Sequence, residues 1–167
     1  FWIGSGHGLN AFDPDTGKFG ELMHQMIWSI LQDRQGIMWI ASAHGLFQIT
    51  LNENKFNTFR KFGTASVSDV RVFAEDKNHH IWIAVHQPDD QLFKYDPSSK
   101  KYVQYQYDPL DPYSFSGNNI RGIIPDNDGG VWVTSYFKLH KFNSHDQTFL
   151  NINIPFQPTT LLKDSKG

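Results

Sequence analysis

Apolar residues in this chain come in short runs, and turn-forming residues punctuate them at regular intervals. None of the runs is long enough, or regular enough at a period of 3.6, for a helix; they read as strands. Trp2, Trp39, Trp82 and Trp132 each sit in one such run: FWIG, MWIA, IWIA and VWVT. Leu9, Leu46 and Leu139 follow three of these tryptophans by seven residues, Phe12, Ile49 and Phe142 by ten, and Phe19, Phe56 and Phe149 by seventeen. The unit at Trp82 keeps the order, with three extra residues before Leu92, Tyr95 and Tyr102. Asp33, Asp76 and Asp126 each precede their tryptophan by six residues, and Asp164 with Gly167 repeats that start. Spacings of 37, 43 and 50 residues between tryptophans lie close to the ~40–50 of propeller blades.

Every unit divides in the same way. An inner run (MIWSILQD 26–33, VRVFAED 70–76, IRGIIPD 120–126, TTLLKD 159–164) leads into the Trp-bearing run. A third run (GLNAFD, GLFQIT, QLFKYD, KLHKFN) and an outer run (KFGEL, KFNTFRKF, KYVQYQY, TFLNINI) complete it. The repeat units are therefore placed at 1–25, 26–69, 70–119 and 120–158, with a final inner strand at 159–164 and no inner strand in the first unit. DPDTG, DPSSK and NSHDQ between the third and outer runs have hairpin-turn chemistry. IMWI and IWIAV are apolar almost continuously, which predicts burial of both faces. The outer runs alternate, as in Tyr102, Gln104 and Gln106 against Val103, Tyr105 and Tyr107. That gradient predicts an all-β fold of propeller type: four blade-equivalents of about four antiparallel strands, part of a larger propeller. Four periods nearly equal the chain length, so both a closed ring and an open arc cut from a seven-bladed ring satisfy the pattern.

Composition narrows the function classes. A hydrophobic content of 39% with 15% aromatics supplies a core and suits strands. A net charge of −2 with interspersed signs lacks the basic stripe of a nucleic-acid groove. The absence of cysteine excludes disulfides and thiolate metal sites. No run approaches the ~18–20 apolar residues of a membrane helix, so no membrane contact by this segment is expected. The chain opens on FWIG with neither an initiator methionine nor a signal peptide, as expected of a piece of a longer polypeptide.

The unit D-x-x-G-x-x-W-[IV]-x-[STA]-x-x-G-L-x-x-F-D resembles the two-component regulator propeller repeat. The connector YDPLDPYSFSGNNIRGI (107–123) is similar to that family's blade-joining segment, through Asp108-Pro109, Asp111-Pro112, Ser114, Ser116, Asn118 or Asn119, and Ile120, with Phe115 in place of a leucine. His79 replaces the turn glycine of the third unit, and Tyr136-Phe137-Lys138 replaces G-x-x-G before Leu139. The resemblance implies the extracytoplasmic, periplasmic sensor region of a hybrid histidine kinase, as in Bacteroidetes, answering to oligosaccharides. It also implies remaining propeller blades and a dimer partner as neighbours. The kinase and phosphoacceptor parts are not in these residues.

The chemistry-bearing residues agree with a binding segment. His79 and His80 are adjacent in a turn, and neighbours on a strand point to opposite faces, which is poor chelating geometry. The acidic turns DPDTG, DNDGG and PDD (88–90) lack the distal glutamate of a calcium loop. DNDGGVW departs from the spacing of the sialidase Asp-box, and no privileged carboxylate pair, nucleophile elbow or phosphate loop is present. The expectation is no cofactor, no metal and no catalysis; a propeller lyase or glycoside hydrolase, and a protein-interaction scaffold, are the alternatives.

The candidate ligand residues gather at one end. In a blade, the turn between second and third strands lies at the same end as the connector entering the next inner strand. That end collects His7, His44, Gln87, Asp89, Asp90, Tyr136 and Phe137 from the turns, with Tyr113, Asn118 and Asn119 from the connector. Trp28, the one tryptophan outside the repeat register, stands near the start of its inner strand, five residues before Asp33, where other units have Arg71, Arg121 and Thr159. Indole and guanidinium groups there suit stacking on, and hydrogen bonding to, a sugar, and they suit packing between blades equally. The variable loop lengths concentrate at this end, where binding groups on a rigid scaffold usually gather.

Overall fold

The computed structural model describes residues 1–50, 55–87 and 90–164. Of the residues singled out above, Asp89 and Gly167 lie outside this set, as do the side chains of Phe56 and Gln87. The described residues contain no helix. They form four antiparallel sheets and one short ribbon. The first sheet comprises β1 (Trp2–Gly4), β2 (Leu9–Asp13) and β3 (Lys18–Met23). The second comprises β4 (Ile27–Gln32), β5 (Met38–Ser42), β6 (Gly45–Thr50) and β7 (Lys55–Phe59), and is followed by the ribbon of β8 (Lys61–Phe62) and β9 (Ala65–Ser66). The third comprises β10 (Ser68–Glu75), β11 (Ile81–Gln87), β12 (Gln91–Asp96) and β13 (Lys101–Tyr105). The fourth comprises β14 (Gly122–Pro125), β15 (Val131–Ser135), β16 (Lys138–Asn143) and β17 (Thr148–Asn153). Strands follow one another in sequence order within every sheet, as in propeller blades. The ribbon was not legible in the sequence, where KFNTFRKF reads as one outer strand.

Each blade is held in register by its turns. Asp33 Oδ1 accepts the backbone N–H groups of Gln35 and Ile37, and its Oδ2 accepts the indole N–H of Trp39 at 2.8 Å. Asp76 does the same for Asn78, His80 and, at 3.0 Å, Trp82. In these two units the six-residue interval from aspartate to tryptophan is one buried carboxylate closing a turn and anchoring a core indole; in the fourth sheet the Asp126 carboxylate is taken by Lys163 and Lys141 instead. The third-to-outer turns close on Asp13, Asp96 and Asn143 in the same way. Hydrogen bonds from Ser98 and Ser99 hold the Asp96 carboxyl well below the usual carboxylate range.

The chain divides into two compact units, Phe1–Arg71 and Val72–Gly167. In the first, Leu9, Ile27, Met38, Ile40, Phe47 and Ile49 form a buried core. In the second, Trp82 lies between Tyr105, stacked at 5.4 Å, and Phe142, edge-on at 4.8 Å. Val131, Val133, Phe115 and Phe149 complete that core. The continuous apolar runs are buried throughout, as β5 shows, whereas the outer β3 is almost wholly exposed.

Residues 159–164 do not form the expected inner strand. A strand exists through its ladder, and no described strand pairs with this run. It is held instead by side chains: Lys163 Nζ donates to Asp126 Oδ1 at 2.9 Å, and Leu161 packs over Gly122. Asp126 also receives Lys141 at 3.1 Å, and these ammonium groups, Lys163 foremost, hold its carboxyl well below its usual range.

Candidate functional site

In the unit Phe1–Arg71, backbone hydrogen bonds draw four of the candidate residues to one end. Ile27 N donates to Ser5 O, Ala43 N to Met26 O, and Asp69 N to Ala43 O. The 5–8 and 42–45 turns thereby sit beside the starts of β4 and β10. In both turns a serine hydroxyl accepts the histidine N–H, Ser5 for His7 at 3.2 Å and Ser42 for His44 at 3.0 Å. Both imidazoles are left facing outward and exposed.

Trp28 is the centre of this end. The register of β4 on β5 shifts between Ile27 and Ser29, so Trp28 is the extra residue of a β-bulge. Bulges re-aim a side chain out of the pleat, and Trp28 is 45% exposed while the repeat tryptophans Trp39 and Trp82 are fully buried. The Arg71 guanidinium carbon stands 5.3 Å from the indole centroid, a cation–π distance. Arg71 is fixed in turn by Asp69, through Nη2 to Oδ2 at 3.0 Å and Nε to Oδ1 at 3.4 Å. Asp69 is buried at 7% exposure and has φ of +50°, a region in which a non-glycine residue is held only by its surroundings. Asp69 was missed in the sequence, where nothing marks it; a polar residue two positions before a candidate arginine is the one signal available.

In the unit Val72–Gly167, Asn118, Arg121 and Tyr136 come together. Tyr136 N donates to Asn118 O, and Arg121 N to Thr134 O, both at 2.9 Å. Tyr136 and Phe137 are an exposed, edge-to-face aromatic pair at 4.6 Å, and Phe137 has φ of +55°. Asn119 and Thr134 each keep a buried oxygen without a partner. Tyr113 does not join this group. The connector swings along the outer strand, where Phe149 N donates to Tyr113 O at 2.8 Å. There Tyr113 lines a cavity of about 430 Å³ with Asp128, Ser144 and His145, at the hairpin end of the blade. Asp90 is paired with His86 at 2.6 Å.

Sequence reasoning also missed a buried polar chain under the connector. His140 bonds Ser135 Oγ through Nε2 at 2.7 Å and Asn151 Oδ1 through Nδ1 at 2.6 Å. Asn151 Nδ2 donates to Ser114 O and Pro112 O. Burial pushes the His140 imidazole down to about 4. Ser, His and Asn in a row suit nucleophilic catalysis, but Ser135 is 0% exposed and Gly117 is packed against it. The chain of bonds holds the connector in place. Among the described residues, no three metal-ligating side chains come together, and His79 and His80 are engaged by Glu75 and Asp76.

Comparison with solved structures places the fold. The extracellular domain of a proposed one component system, BT4673, from B. thetaiotaomicron superposes with a TM-score of 0.76 at 18% identity, over 98% of this chain and 23% of that one. The extracellular domain of a proposed hybrid two component system, BT3049, from the same organism gives 0.65 at 20%, over 96% and 21%. PorZ, a component of the type-IX secretion system of Porphyromonas gingivalis, gives 0.67 at 15%, over 91% and 25%. This chain therefore spans about a quarter of the length of each. No curated protein sequence matches it. The family model described as "Two component regulator propeller" matches at residues 21–44 and 114–137, each stretch joining one connector to the inner and Trp-bearing strands that follow. Residues 21–44 and 114–137 are two-component regulator propeller repeats, set in an all-β chain folded as propeller blades.

Proposed function

We propose that this chain is a non-catalytic ligand-binding segment from the extracytoplasmic sensor region of a two-component receptor, responding to oligosaccharides. The observation that carries the reading is the Trp28 site: a bulged, half-exposed indole whose one side is backed by an arginine fixed by a buried carboxylate. A flat aromatic face beside oriented N–H donors matches a pyranose ring, with its apolar C–H face and equatorial hydroxyls. The repeat family and the extracellular sensor domains of similar fold support a periplasmic location. Its neighbours in that setting are the remaining blades and a dimer partner. Asn118, Arg121 and Tyr136 form a second candidate contact patch in their own unit.

The test incubates the intact protein carrying these repeats with an oligosaccharide panel and follows both binding and product formation. Saturable binding without turnover is the expected result, and Trp28→Ala weakens it by about tenfold or more, as loss of a stacking aromatic does. Asp15→Ala, in an exposed hairpin turn, leaves it unchanged. Turnover of any glycan, or loss of binding in Asp15→Ala with retention in a folded Trp28→Ala protein, overturns the reading.

A further inference from the structure

We infer that the Trp28 site selects an uncharged polyhydroxylated ring and discriminates against acidic sugars. This rests on the saccharide reading above and adds the charge class of the ligand. An arginine beside an exposed tryptophan suggests, at first sight, a site for a carboxylate or a sulfate. The geometry argues otherwise. Both carboxylate oxygens of Asp69 are engaged by Arg71, at 3.0 and 3.4 Å. The pair is partly withdrawn from water, the Arg71 side chain being 29% and the Asp69 side chain 10% exposed. Its net charge is zero, so an approaching anion gives up hydration and meets no uncompensated positive charge in that pair.

Beyond the pair, the exposed imidazoles of His7 and His44 stand on the adjacent turns, and the exposed Arg60 and Lys61 follow β7 on the outer side of the blade. The other carboxylate at this end, Glu21, lies by Gly8 and is met by His24 at 2.8 Å. What the site offers a ligand is the open face of the indole, an indole N–H that meets no acceptor among the described residues, and the guanidinium N–H groups that Asp69 leaves free. These are donors for hydroxyl oxygens around a stacking surface. Asp69 does not touch the ligand; it positions Arg71 and cancels its charge. That role accounts for a buried aspartate held at positive φ by its N–H bond to Ala43 O.

Asparagine adopts the left-handed region more readily than most residues, so Asp69→Asn removes the charge while keeping the backbone. The experiment uses the intact protein and glucan, xylan, mannan and galactan oligosaccharides, each in matched hydroxyethyl and carboxymethyl forms. The wild-type protein is expected to bind a hydroxyethyl form about tenfold or more tighter than its carboxymethyl partner, and raising the salt concentration leaves the neutral affinity nearly unchanged. Asp69→Asn is expected to improve carboxymethyl binding by about tenfold, with a salt dependence that the wild type lacks. Should that variant fail to fold, Arg71→Gln provides the second arm: neutral binding weakens with the lost guanidinium donors, and carboxymethyl binding weakens by a larger factor against the bare Asp69 carboxylate.

Wild-type preference for the carboxymethyl forms overturns the inference and leaves the sensor reading standing, as does a folded Asp69→Asn protein with unchanged selectivity. Binding of neither form overturns both.

Discussion

The bond from Asp76 to the Trp82 indole gives the most direct check on how these blades are held. Trp82 is fully buried and Asp76 is 1% exposed. Oδ2 accepts the indole N–H at 3.0 Å while Oδ1 serves the turn. Asp76→Asn retains an oxygen for the turn and sets an amide N–H₂ against the indole N–H. Trp82→Phe removes the indole donor. A hydrogen bond to a charged group contributes about 1.5–3 kcal/mol, and a buried donor left without an acceptor costs about 1–3 kcal/mol. The double-mutant cycle cancels the shared losses of packing and turn bonding. A coupling of about 2 kcal/mol is therefore expected from urea unfolding followed by circular dichroism and tryptophan fluorescence. Asp33 with Trp39 should couple to a similar extent, since the distance is 2.8 Å. Asp126 with Trp132 is the comparison pair: the Asp126 carboxylate is taken by Lys163 and Lys141 and meets the indole only through Lys141, which stands 5.2 Å from the ring centroid, so coupling there should fall below about 1 kcal/mol. Near-zero coupling at Asp76–Trp82, or equal coupling in all three pairs, refutes the assignment of the aspartate-to-tryptophan interval to this bond.

Further outcomes follow from the connector and its buried polar chain. Gly117→Ala places a Cβ 2.5 Å from Phe115 Cζ, 2.8 Å from His140 Nε2 and 2.9 Å from Ser135 Oγ, so thermal unfolding should report a loss of about 1–3 kcal/mol; an unchanged melting temperature refutes the close packing. His140 has a folded value near 4 against 6.5 when exposed. The unfolded chain therefore binds more protons between these values, and stability is complete above about pH 6.5 and declines as pH falls toward 4. The total is on the order of 3 kcal/mol, and His140→Gln should flatten that part of the stability profile; an identical slope in the variant places the titration elsewhere.

The architecture was legible because propeller blades repeat their physics. Blades two to four bury the Trp-bearing strand almost throughout and leave the outer strand more open, so Trp2, Trp39 and Trp132 recur with leucines and apolar partners at fixed offsets, and Trp82 with the same order shifted by three. Four blades of three, four, four and four strands follow from that pattern. The turn residues were legible for the same local reason: Asp13, Asp96 and Asn143 bond their own backbone two residues on. Grouping His7, His44, Trp28 and Arg71 at one end needed only strand direction, which alternation along each blade supplies.

The tertiary structure decided everything that depended on contacts remote in sequence or on backbone irregularity. Whether Trp28 faces the core or solvent turns on a bulge between Ile27 and Ser29, and a one-residue slip leaves no mark in composition. Asp69 became the partner of Arg71 only because its backbone takes a left-handed turn against Ala43. Tyr113 left the predicted end because Asn151 and Phe149, nearly forty residues away, capture the connector's carbonyls. Residues 159–164 carry the pattern of an inner strand and do not form one, since a hydrophobic pattern states which face a strand would bury and only a paired neighbour makes it a strand.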